Sequence, residues 1–216
     1  MPQTIVTEGL EITGRSGGAK PPSSGGGGGD DGAAGGSATI PQRVYVTGMT
    51  IGMGAILMFF MALVSAFIVR KGVGNDWRAF ALPNILWLNT LILLASSATI
   101  VRARSFLAKD DRQGFHHWWA VTTVLGLFFL AGQLIAWRQM VAAGLYVATN
   151  PSSSFFYVLT AAHGLHLLGG ILALIYVGWL RLRKLTLSTA AEVASLYWHF
   201  LDGLWVFLFL ILLLGR

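Results

Sequence analysis

Five apolar stretches constrain this chain more than anything else in it. They run over 44–69, 82–101, 118–137, 154–178 and 193–214, and each is close to the ~20 residues a helix needs to cross a bilayer. A backbone in hydrocarbon must satisfy its own hydrogen bonds, and segments this long, with no strict alternation, are not barrel strands. The expected fold is therefore all-α: a polytopic membrane protein whose residues 44–216 form a five-helix bundle. The punctuation fits, with Pro83 expected in the first turn of the second helix, "TNPSSS" capping the fourth and "GNDW" breaking the chain after the first.

Residues 1–43 read differently. "PPSSGGGGGDDGAAGGS" and its surroundings hold too few large apolar side chains to offset the entropy of ordering them. A disordered tail is expected there. It lacks the basic start and continuous apolar run of a signal peptide, so insertion is expected to use the internal helices.

Composition narrows the chemistry. The chain is 55% hydrophobic and 11% charged, far from the balance of a soluble domain. It has no cysteine, which excludes disulfides, thiolate-held iron–sulfur clusters, c-type haem attachment and cysteine-bridged copper. A redox cofactor would have to rest on His or Met. The net charge of +6 fits basic cytoplasmic loops and not nucleic-acid binding. With the N-terminus inside, the cytoplasmic side receives Arg15, Lys20, Arg43, Arg102, Arg104, Lys109, Arg112, Arg181, Arg183 and Lys184, against Arg70, Lys71, Arg78, Arg138 and Arg216 outside. This division predicts a cytoplasmic N-terminus and an external C-terminus. Trp77, Trp87, Trp118, Trp119, Trp137 and Trp179 fall near segment ends, where the indole prefers the interface.

Few ionisable groups lie inside the spans, where each costs roughly 2.5–3.5 kcal/mol at a helix centre by insertion measurements. "HGLHLLGG" places His163 and His166 three residues apart, and "YWHFLDGLWVFLF" adds His199 and Asp202. Histidines at i and i+3 point to one side of a helix and can share a ligand, which allows a metal or haem site. The other reading makes these groups ties between helices. Two histidines on one turn do not supply bis-histidine haem ligation, and a copper–haem site needs more membrane histidines than these; His116 and His117 of "FHHWW" fall at a loop edge. At ~1.5 Å of rise per residue, His166 and Asp202 come to nearly the same depth, with His163 slightly farther outward. A His166–Asp202 hydrogen bond between the fourth and fifth helices is then geometrically open. Gly164, Gly169 and Gly170, and the GxxxG pattern of Gly48 and Gly52, permit close helix approach. No phosphate loop, nucleophile–base pair or carboxylate pair appears.

Together, "AAHGLHLLGG" (161–170) and "YWHFLDGLWVFLF" (197–209) resemble the paired signatures in the last two helices of subunit III of the haem–copper, or cytochrome c, oxidases. "MGAILMFFMALVSAFIVR" (53–70) is similar to that family's helix of the form SE-x-MFF-x-x-LF-x-AY, "LPNILWLNTLILLASS" (82–97) to its next helix, and residues 131–164 to the stretch leading into the histidines. The likeness covers nearly all of 44–216 and matches the shorter bacterial form without the first two helices. It implies an accessory subunit with no redox centre of its own. Such a subunit, in the bacterial inner membrane, flanks and stabilises catalytic subunit I, associates with subunits I and II that carry the haem and copper, holds phospholipid between helices and supports proton uptake by the complex. His163, His166, His199 and Asp202 occupy the family's polar helix-pinning positions. Aligning Met58, Phe59 and Phe60 puts Ile56 where the family usually has a buried glutamate, so no role of that carboxylate carries over.

A proton-conducting or small-solute transporter is the competing reading, with Asp202 and the histidines as a relay, but five helices without an inverted repeat fit it poorly. A membrane cytochrome b is a third. The electron donor, cytochrome c or quinol, is not written in this chain.

Overall fold

The computed structural model describes residues 42–73, 82–147, 150–179 and 184–215. Of the tail expected over 1–43, residues 1–41 lie outside the described residues, as does the "GNDW" break, whereas Gln42 and Arg43 already belong to the first helix. The rest is five helices: α1 (Gln42–Val73), α2 (Ile85–Ala108), α3 (Arg112–Ala142), α4 (Pro151–Trp179) and α5 (Lys184–Gly215). All five are long and apolar enough to cross a membrane, and no strand occurs among the described residues.

The helices are longer than their apolar cores. α3 starts at Arg112 and not 118, and α5 at Lys184 and not 193. The added turns are polar or amphipathic, but they still bury one face, with Phe115 of α3 and Leu187 and Ala191 of α5 almost inaccessible. Pro83 precedes α2 instead of sitting in its first turn, and its carbonyl accepts from the Leu86 amide at 3.1 Å. α2 and α3 form a tight antiparallel hairpin, in which Asp110 takes a left-handed φ of 63°. Asp111 then caps α3, its carboxylate accepting from the Gly114 amide at 2.9 Å. Gly144 closes α3 at φ 76°, a conformation glycine adopts without strain. Pro151 is the first residue of α4, where its missing N–H costs nothing.

Helices α2, α3, α4 and α5 make a closed ring in which each packs against the next and α5 returns to α2. α1 lies outside the ring, against α4 and α5. Its apolar window is only 17% buried, against 50% for α5, so α5 is the organising helix. Trp198 of α5 shows how: its indole N–H donates to Ser96 Oγ of α2 at 3.0 Å, and its ring lies against Gly126 of α3 and Gly170 of α4. α1 is moored near its end, where Lys71 Nζ donates to the Leu214 carbonyl at 2.9 Å and Phe67 meets Phe155 edge-on at 5.6 Å.

Candidate functional site

The polar interior is a set of seams between helices, and the side of α2 facing α5 carries most of it. Buried residues on α2 recur as Leu86, Asn89, Leu93, Ser96, Ile100, Ala103 and Leu107, a spacing of three and four that lays them on one face. From this region Thr90 accepts from the Trp205 indole at 3.1 Å, and the Ser97 hydroxyl meets His199 Nδ1 at 2.6 Å. Thr99 and Thr122 share a hydrogen bond of 2.8 Å between α2 and α3. Between α3 and α4, Trp119 donates to the Leu174 carbonyl at 2.8 Å and Trp137 to Thr160 Oγ1 at 3.0 Å. Trp119 is thus a buried helix tie and not an interfacial anchor, whereas Trp179 is 89% exposed. Trp118 lies under the Arg102 guanidinium, 5.0 Å from its ring centre.

His163 and His166 do not converge. His163 is fully buried between Phe129 and Trp205, with ring centres 5.9 and 5.1 Å away, and neither of its nitrogens has a hydrogen-bond partner. His166 turns toward α1, 5.5 Å from Phe60. Its Nδ1 pairs with the Ala162 carbonyl one turn back at 2.8 Å. The open His166–Asp202 bond is therefore not made. Equal depth along two helices says nothing about rotation, and here the imidazole faces α1 while Asp202 faces inward. Asp202 is 5% exposed, and neither carboxyl oxygen has a hydrogen-bond partner; Ser97 flanks it from α2. Tyr197 supplies the contact between α4 and α5 at this level, its hydroxyl donating to the His166 carbonyl at 3.2 Å.

Of the glycines singled out by pattern, Gly170 is at a helix contact, where an added methyl would meet Leu201 Cδ1 at 3.2 Å. Gly48, Gly52, Gly164 and Gly169 face open space within this chain. The close approaches fall elsewhere: a methyl on Gly132 would collide with the Asn89 amide, and one on Gly126 would stand 2.6 Å from Trp198 Cη2. Asn89 and Gln133 are buried amides without partners. A search for titratable groups passes over them, although an amide in an apolar run is a visible signal. Ile56 packs against the core from α1.

Among the described residues no three of His, Cys, Asp and Glu gather where a metal could bind. What the arrangement does chemically is tie helices together, with hydroxyl–indole and hydroxyl–imidazole pairs as the fasteners. Residues 35–214 match the family profile described as "Cytochrome c oxidase subunit III". The chain is 32% identical to the cytochrome c oxidase subunit 3 of Synechocystis over 72% of its own length and 69% of that relative. It is 32% identical to the probable cytochrome c oxidase subunit 3 of Mycobacterium leprae over 76% and 85% of the two chains, and 34% identical to that of Nocardia farcinica over 75% and 83%.

Proposed function

Because the chain belongs to the cytochrome c oxidase subunit III family, we propose that it serves as the accessory third subunit of a haem–copper terminal oxidase, stabilising catalytic subunit I and supporting its proton uptake. One observation carries this reading: the family match spans all five helices, α1 to α5. The geometry agrees, since the buried His163, Trp198 and Trp205 are engaged in packing between helices. On this reading the haem and copper reside in subunits I and II, and the chain itself holds no redox centre. Exposed apolar side chains on α1, such as Ile51, Met58 and Ile68, face lipid or those partners, and phospholipid fills what they leave. On this reading the chain sits in a bacterial inner membrane, and the division of its basic residues supports a cytoplasmic N-terminus and a cytoplasmic α2–α3 turn.

Affinity purification of the tagged chain in mild detergent tests the proposal. Subunits I and II should come down with it, together with their haem absorption. Deletion should lower the amount and durability of the assembled oxidase more than its initial oxygen reduction per haem. A chain that migrates alone on native gels, with no haem-containing band, defeats the reading.

A further inference from the structure

Between the C-terminal end of α2 and the N-terminal end of α5 lies a cavity of about 330 Å³, walled by Val101, Arg104 and Ser105 on one side and Ser188 and Ala191 on the other. At the ~30 Å³ a water occupies in the liquid, it has room for about ten waters. Its polar rim is Arg104, Ser105 and Ser188. From this cavity, residues 188, 191, 195, 199 and 202 of α5 recur at intervals of three and four, so they share one face of the helix.

That face leads inward through polar groups. Ser195, one turn beyond Ala191, is fully buried and its hydroxyl has no hydrogen-bond partner. His199 follows, bonded to Ser97 at 2.6 Å and within electrostatic reach of Arg104 on the cavity wall. Asp202 comes last, buried and with both oxygens unpartnered, ~21 Å of helix rise from Ser188. Beyond it the face continues as Trp205, Phe209 and Leu212, all buried, and the polar file stops. Ser195 and Asp202 lie on this face without partners, although burying unpartnered polar groups costs free energy. A hydroxyl, an imidazole and a carboxyl one helical turn apart have one ligand chemistry in common: water and the proton it carries.

We propose that the α2–α5 seam is a one-ended proton-access path, in which waters of the cavity exchange protons with the Asp202 carboxyl through Ser195 and the Ser97–His199 pair. Each relay group releases one proton as it accepts another. The only net change is at Asp202, where a carboxylate and a water-borne proton become a carboxyl. Arg104 of α2 lines the cavity and His199 of α5 lies on the path itself; Glu192 follows Ala191 along α5, and His166 of α4 faces α1 instead. The path is a property of this seam, so its test can fail while the oxidase assignment holds.

Infrared difference spectroscopy on the full chain in its native membrane complex tests it by following the carboxyl C=O stretch as H2O is replaced by D2O. Asp202→Asn assigns the band by removing it. In the unaltered chain the band should shift on exchange. Ala191→Leu, which fills the cavity floor, and Ser195→Ala, which removes the relay hydroxyl, should each slow the shift about tenfold. Leu210→Ala, on the exposed side of α5, should leave the rate unchanged. Ser195→Ala overpacks nothing, so its rate decides the matter if Ala191→Leu does not assemble. A band absent from the difference spectrum, a band that does not exchange, or a Ser195→Ala variant exchanging at the original rate overturns the path.

Discussion

Trp198 on α5 seats its six-membered ring on the bare backbone of Gly126 on α3, so closely that a single methyl group added to the glycine would stand 2.6 Å from Cη2. The same indole is hydrogen-bonded to Ser96 of α2 at 3.0 Å, and the ring of four helices closes around it. Gly126→Ala should therefore destabilise the assembled protein by about 1–3 kcal/mol, the usual cost of overpacking. Trp198→Phe should recover part of that loss in the double variant by withdrawing the clashing atoms. Gly164→Ala and Gly169→Ala, where a methyl meets nothing, should be near neutral. Thermal denaturation in detergent separates the three cases, and equal losses at Gly126 and Gly164 would contradict the packing.

The Ser97–His199 bond joins α2 to α5 across 102 positions of sequence. Interhelical hydrogen bonds in membranes average about 0.6 kcal/mol and reach about 1.7 in double-mutant cycles. A cycle of Ser97→Ala and His199→Phe should give a coupling within that span. A coupling of zero would mean the contact contributes nothing to holding the helices.

His163 tests the difference between a buried polar group that is used and one that is only accommodated. With both ring nitrogens unpartnered between Phe129 and Trp205, His163→Phe should match or exceed the native melting temperature, since nothing polar is left orphaned. His163→Ala should cost about 2–5 kcal/mol through the cavity it leaves. A collapse of His163→Phe would show that the imidazole is used, through a buried water, and not only accommodated.

Orientation is decided by labelling, and the lack of native cysteine makes the background clean. A cysteine at Lys109, in the α2–α3 turn, should resist an impermeant thiol reagent in intact cells, whereas one at Tyr146, at the opposite end of α3, should react. The reverse pattern inverts the topology.

A chain with no redox centre should show no Soret band and no stoichiometric metal when purified away from its partners. His163→Ala and His166→Ala should change neither. A one-to-one haem or metal content lost on either substitution would overturn the accessory reading.

The five spans were legible because crossing a bilayer demands a length of apolar sequence that little else produces. Their ends were not, because Arg112–His117 and Lys184–Glu192 are helical yet too polar for an apolar window to include. His199 and Asp202 stand out in the sequence as polar positions inside apolar runs, and the structure half-buries the first and buries the second, but their partners are not legible there. Rise per residue fixes height, while pairing depends on rotation about the axis, and that is set by Trp198 and Tyr197 packing against α3 and α4. The hydroxyls of Thr90, Ser96 and Ser97 escaped notice for a different reason: serine and threonine are ordinary in membrane helices, and only their shared spacing with Leu86, Leu93 and Ile100 marks them as facing α5.

The isolation of α1 from α2 and α3 among the described residues has a meaning for biosynthesis. At roughly 5–20 residues per second, the first helix leaves the ribosome about 7–28 s before the fifth one does. Its docking surface on α5 does not exist during that interval, and the one on α4 appears only in its last part. α1 must therefore persist as a lone span, held by its own hydropathy, until the synthesis of α4 and α5 delivers its neighbours. A ribosome that stalls in the α4–α5 loop would leave it unmoored beside a ring that cannot close.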